Sequence, residues 1–316
     1  MRRAPHAATV ATIALALCLA AVPAAAQRDW SQVEVKSQQV APGIHVLQGA
    51  GGNIGVSTGE DGVFLVDDQF APLTEKIQAA VAALDPRPVR FVLNTHWHPD
   101  HTGGNENLGK AGALIVAHDN VRTRMAAGEV NELFGRTQPP APKGALPVIT
   151  FSDAVTFHLN GEEIHAWRVP PAHTDGDAVV HFRKADVLHA GDLLFVGGYP
   201  VLDVPSGGSL TGWIAVLDRL MEQVGPSTRI IPGHGALATA ADLRAFRDLL
   251  STVRERVLPL VRAGKTLEET IAAKPLADLD ERFGNVFVRP ETFLKAVHMS
   301  LSQEPMETPA DGREND

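Results

Sequence analysis

The stretch HWHPDH, residues 96–101, sets four metal-ligating side chains within six residues, directly after VRFVLNT (89–95), an apolar run of strand length. Imidazole nitrogens and a carboxylate oxygen suit Zn²⁺, which they bind at about 2.0 to 2.2 Å, and a catalytic zinc takes three protein ligands and keeps a position for water. In an extended segment His96 and His98 point the same way. Asp100 and His101 lie beyond the Pro99 bend and address a second point, so one loop can feed two metals. Trp97 faces opposite by alternation, which assigns it to packing, and Gly103 and Gly104 suit a tight turn into a helix.

The N-terminus reads as an export signal. Arg2 and Arg3 form the positive end, residues 10–22 the apolar stretch, and Ala24, Ala25 and Ala26 a small-residue cleavage site before Gln27. An apolar run of about 13 residues is short for a bilayer that needs about 20. The expected organisation is a leader at 1–26, a catalytic domain at 27–302 and a polar C-terminal tail at 303–316, with a periplasmic location and no membrane insertion after cleavage. Without the leader, 26 Lys and Arg stand against 37 Asp and Glu, a net charge of −11. No basic cluster is visible, which argues against nucleic acid and for small-molecule partners. The only cysteine, Cys18, falls in the leader, so any metal in the remaining chain must be held by nitrogen and oxygen.

Residues 33–66 hold four apolar runs broken by Gly (VEVKSQQV, GIHVLQG, NIGVST, GVFLVDD) and predict a strand meander. Helical spacing follows at 73–84, a strand at 89–95, another at 113–117 and a helix at 118–127. Residues 128–147, with Pro139, Pro140, Pro142 and Pro147, predict a surface loop, either a connector or a flap over a site. A second set of strands is expected in VITF, AVTFHL, EIHAWRV, DAVVHFR and DVLHA, then a helix at 210–224, a strand at 229–232, and helices at 239–263, 267–273 and 290–300. This order implies an α/β protein with sheets packed together and helices outside.

Three further segments, PAHTDGD with His173, HAGDLLF with Asp192 and IIPGHG with His234, each set a ligand after a predicted strand. With HWHPDH, in this order, they resemble the metallo-β-lactamase superfamily of metal-dependent hydrolases over about residues 40–243. The resemblance implies an αββα sandwich with a two-zinc site at the edge between the sheets. It implies that His96, His98 and His173 hold the first metal, that Asp100, His101 and His234 hold the second, and that Asp192 bridges both. Two divalent ions lower the pKa of bound water from 15.7 towards about 7 and stabilise the oxyanion formed on attack at a carbonyl. Asp100 would also orient the attacking hydroxide.

The absence of cysteine after the leader excludes the β-lactamase subclass that uses a thiolate, and Asp192 resembles the glyoxalase II, lactonase and general hydrolase branches more than the histidine-ligand β-lactamases. The expected activity is cleavage of an ester, lactone, thioester or amide. The alternatives are a β-lactamase of the histidine-ligand type and an iron-dependent oxidoreductase like the persulfide dioxygenases, which keep a similar motif; His98 argues only against the diiron flavoproteins of the superfamily, which carry Glu there. The Gly-rich segment 197–210 is expected to line the substrate pocket, with Tyr199 polarising a carbonyl and Ser206 and Ser209 nearby. Asp67, at a strand end, is expected to hold a ligand His from behind. His45, His118, His158, His165, His181, His189 and His298 read as packed or surface residues.

Overall fold

Four apolar runs separated by turns close on one another between residues 33 and 66. In the computed structural model, which describes residues 28–284 and 286–305, they form an antiparallel meander: β1 (Lys36–Ala41), β2 (Ile44–Gln48), β3 (Ile54–Ser57) and β4 (Val63–Val66). The expected leader and the tail beyond residue 305 lie outside the described residues. The chain divides into two compact units. Of the first, residues 28–32 are described, including a 3₁₀ turn at Trp30–Gln32. The second begins at Val33 and carries everything below.

After β4 the sheet continues in parallel through β5 (Val89–Leu93), β6 (Leu114–His118) and β9 (Ile149–Phe151), each joined to the next by a crossover. The crossovers contain α1 (Thr74–Leu84), α2 (Pro99–Thr102), α3 (Asn105–Lys110) and α4 (Asp119–Ala127). Parallel neighbours need such connections. The second sheet holds β10 (Ala154–Leu159), β11 (Glu162–Arg168), β12 (Ala178–Phe182) and β13 (Val187–Phe195) in antiparallel order, with β14 (Arg229–His234) added parallel after α5 (Leu210–Gln223).

The sheets face each other across a shared core. Ile44, Val46, Phe64, Val66, Leu93 and Val116 of the first meet Ile164, Ala166, Val180, Phe182, Val187 and Ile231 of the second. By alternation Val63 and Leu65, also buried, point to the opposite face of the first sheet. On the far side of the second sheet, Leu188, Leu193 and Leu194 pack with Trp213, Leu217, Phe246, Leu250 and Val297 from α5, α6 (Ala240–Arg262) and α9 (Pro290–Ser302). This is an αββα sandwich.

Four expectations need correction. VITF joins the first sheet rather than the second, because Val116 and Ala117 of β6 offer it a free parallel edge. The 128–147 segment is not plain loop: β7 (Glu129–Asn131) and β8 (Arg136–Gln138) pair as a hairpin, too short to show a periodic pattern. DVLHA extends to Phe195, so Asp192 lies inside a strand. A helix unmarked by apolar spacing, α8 (Ala277–Phe283), follows α7 (Leu267–Ala273).

Candidate metal centre

The HWHPDH loop leaves β5 at one end of the sandwich. His98 is extended (φ −63°, ψ 148°), as a residue before proline must be, and Pro99 opens the single turn of α2, where its missing N–H costs nothing. That turn swings Asp100 and His101 away from the point addressed by His96 and His98. His173 comes from the loop after β11. Asp192 sits on β13 within two successive register shifts against β14, one between His189↔Ile231 and Gly191↔Pro232 and one between Gly191↔Pro232 and Phe195↔His234. The bulge needs the left-handed Gly191 (φ 52°), and it turns the Asp192 carboxylate to the sheet edge. His234 ends β14.

The seven side chains gather as two groups, His96–His98–His173–Asp192 and Asp100–His101–His234, the ligand atoms in each lying within 4.8 Å of one another. In the first, His98 Nδ1 is 3.1 Å from His96 Nε2 and 3.0 Å from His173 Nε2. Asp192 Oδ2 is 3.8 Å from His96 Nε2 and 3.6 Å from His173 Nε2. In the second, Asp100 Oδ2 lies 3.3 Å from His234 Nε2 and 3.8 Å from His101 Nε2. The other oxygen of Asp192, Oδ1, is 3.1 Å from His101 Nε2 and 3.5 Å from His234 Nε2. One carboxylate therefore faces both groups, one oxygen to each.

The backs of the rings are held in turn. Asp67 Oδ2 accepts from His101 Nδ1 (2.8 Å) and its carboxylate also takes the Thr95 amide and hydroxyl, so its backbone keeps a left-handed φ of 65° to reach them. Asp203 Oδ2 accepts from His98 Nε2 (2.8 Å), and the Val201 carbonyl accepts from His173 Nδ1 (2.7 Å). Thr95 Oγ1 lies 3.0 Å from His96 Nδ1. Such partners fix tautomer and ring orientation. These bonds leave His101, His96 and His173 with Nε2, and His98 with Nδ1, turned inward.

A cation fits this donor set. With Nδ1–H of His101 given to Asp67, its bare Nε2 faces Asp192 Oδ1, and that oxygen is buried without a hydrogen-bond partner. Two lone pairs at such a distance require a proton or a metal between them. The packing also leaves no space to spare: a Cβ on Gly52 would overlap the His101 ring, and one on Gly233 would overlap Asp192 Oδ1.

Without a cation, protons take the role. Burial alone would push His101 and His234 down, but Asp192 together with Asp67 and Asp100 raises His101 well above 6.5, and Asp192 and Asp100 raise His234 to about 9. Burial, reinforced by the neighbouring His101 charge, drops His96 well below its usual value, and burial lowers His173 to about 4. Against a burial cost, His101 and His234 hold Asp100 and Asp192 below the ordinary carboxylate range. Burial likewise opposes ionisation of Asp203, but its bond to His98 brings it down to about 2.

The residues expected in the substrate pocket are elsewhere. Tyr199 is fully buried, its ring stacked on Phe293 (4.3 Å, 17°) and its hydroxyl donating to Asp280 Oδ1 (2.9 Å), so it cannot polarise a carbonyl at the centre. Ser206 is buried and donates to Glu129 Oε2; Ser209 caps α5, accepting from the Gly212 amide. Trp97 is buried with Val121 and Met125, as its alternation implied. Asp203 escaped the sequence reading, as did Asn131, whose amide donates to Asp203 Oδ1 (2.8 Å) from the β7–β8 hairpin. Asp203 stands 105 residues from His98, a separation no local pattern spans.

The sequence profile described as the metallo-beta-lactamase superfamily matches residues 48–234. The chain is 25% identical over 240 residues to the 2,4-dinitroanisole O-demethylase subunit alpha of Nocardioides sp., covering 74% of this chain and 69% of that protein. It is 28% identical over 242 residues to a hydroxyacylglutathione hydrolase of Methylococcus capsulatus, covering 73% and 83%. In fold it is similar to a solved metallo-beta-lactamase from Pontibacter korlensis, with a TM-score of 0.57 and 18% identity over 69% of this chain and 99% of that one. With the profile spanning more than half of its length, from the end of β2 to the His234 ligand, the chain belongs to the metallo-β-lactamase superfamily.

Proposed function

We propose that this protein is a two-zinc hydrolase that cleaves an ester, lactone, thioester or amide bond. The observation that carries the reading is Asp192, whose two oxygens face separate sets of three further ligands. His96, His98 and His173 would hold one ion and Asp100, His101 and His234 the other. Bound zinc supplies a nucleophile at neutral pH by acidifying water and polarises the carbonyl under attack. The chain's part is to keep the ligand rings from turning, through Asp67 on His101 and Asp203 on His98. Asp100, 23% exposed, is the carboxylate of the set most open to solvent, and it can accept a hydrogen bond from the attacking water and hold its lone pair towards the carbonyl. Similarity to a relative named hydroxyacylglutathione hydrolase supports the hydrolytic reading. We further propose export to the periplasm, on the charge and apolar pattern of residues 1–26.

Metal analysis of the purified chain, followed by β-lactam, lactone, ester and thioester substrates, tests the reading. Zinc with hydrolysis of at least one class is expected, and His96→Ala or Asp100→Ala should abolish it. Full activity in either variant, or one iron and no zinc per chain, would contradict the proposal.

A further inference from the structure

The connection between α8 and α9 places apolar side chains where the metal centre does not require them. Phe287 is 37% exposed and Val286 57%, yet the Phe287 ring is not detached from the fold. Its centroid lies 5.6 Å from that of His234 and 5.5 Å from Phe195, and Phe195 is stacked on His234 at 5.1 Å and 20°. The His234 imidazole, itself 16% exposed, is thus backed by one buried phenyl and bordered by one open to solvent.

This placement is enforced by contacts on both sides of the connection. Gly198 lies against it so closely that a Cβ there would come within 2.8 Å of both Val286 and Phe287. The next residue, Tyr199, receives α8 through its amide, which donates to the Phe283 carbonyl (2.9 Å), and through its hydroxyl on Asp280. Its ring meets α9 at Phe293. A single buried tyrosine therefore ties both helices that flank Phe287.

We infer that Phe287 is an apolar wall beside the metal centre and selects acyl compounds bearing a medium-length alkyl group. The inference rests on the hydrolase reading above for its chemistry, but not for its binding test. An exposed phenyl beside a ligand gains by covering apolar substrate surface, worth about fourfold for each methylene it fully buries.

The test compares the zinc-loaded full-length protein with Phe287→Ala and Phe287→Leu on p-nitrophenyl octanoate and p-nitrophenyl acetate. In parallel, calorimetry measures octanohydroxamate and acetohydroxamate, chelating probes that need no turnover. The wild type should favour the octanoyl member of each pair by about tenfold or more. Phe287→Ala should lose most of that preference, its octanoyl values falling several-fold further than its acetyl values, and Phe287→Leu should retain it. Equal losses on both chain lengths, or a wild type without preference, would overturn the inference. If neither ester is hydrolysed while the octanohydroxamate preference depends on Phe287, these esters are not substrates and the apolar wall stands.

Discussion

At the residue scale, the pairing of Asp192 Oδ1 with the bare Nε2 of His101 makes proton and metal competitors for one space. In the cation-free chain His234, raised to about 9, still holds its proton at pH 7, as does His101. Zinc needs both imidazoles neutral, so uptake must release protons, and apparent affinity should rise with pH between 7 and 9. Calorimetry in buffers of different ionisation enthalpy reads this directly; an affinity flat across that range would contradict the electrostatics. Asp203→Asn should weaken zinc at the His98 group by about 10- to 100-fold in chelator competition, the usual effect of removing a carboxylate behind a ligand histidine. Asp67→Asn should do the same at the His101 group, and unchanged affinity in both variants would remove their positioning role. Asp67 was legible in the sequence because it ends a strand beside the metal loop. Asp203 was not, because its link to His98 exists only once the loops after β5 and β13 have met.

At the scale of elements, motif spacing locates the ligands but the strand irregularities aim them. Asp192 reaches the edge through the β13 bulge, and Gly233 lies so close to its carboxylate that Gly233→Ala should lower bound zinc per chain well below the wild-type value. A Gly233→Ala protein with full zinc content would show that the strands can yield there. Tyr199→Phe removes the bond to Asp280, and with it about 1 kcal/mol of stability by thermal unfolding, while kcat/KM on a small acetyl ester should stay unchanged. A large fall in kcat/KM with no loss of stability would restore Tyr199 to the chemistry. Long periodic elements such as α6, with its capping box at Thr239 and Asp242, were plain in the sequence. The three-residue strands β7 and β8 and the acidic α8 were not, since so few residues carry no period and the helix buries none of its residues.

Over the whole molecule, the site exists because two sheets share one core. His96, His98, Asp100 and His101 follow β5 of the first sheet, whereas His173, Asp192 and His234 come from the second. Backbone bonds fasten the two halves beside the metals: the Ala178 amide donates to the Thr95 carbonyl (2.8 Å), and the Asn53 amide to that of Gly233 (2.7 Å). The layered class follows from the order of strands and helices, but sheet membership does not. VITF carries the same apolar run as its neighbours in sequence, and only the free edge of β6 decides where it pairs. The central claim is that both groups are occupied and needed together. Zinc titrated into the metal-free full-length protein, with hydrolysis of an accepted ester followed and bound metal counted, should bring activity to a plateau at two zinc ions per chain. Full activity at one equivalent, with no second ion bound, would contradict the account.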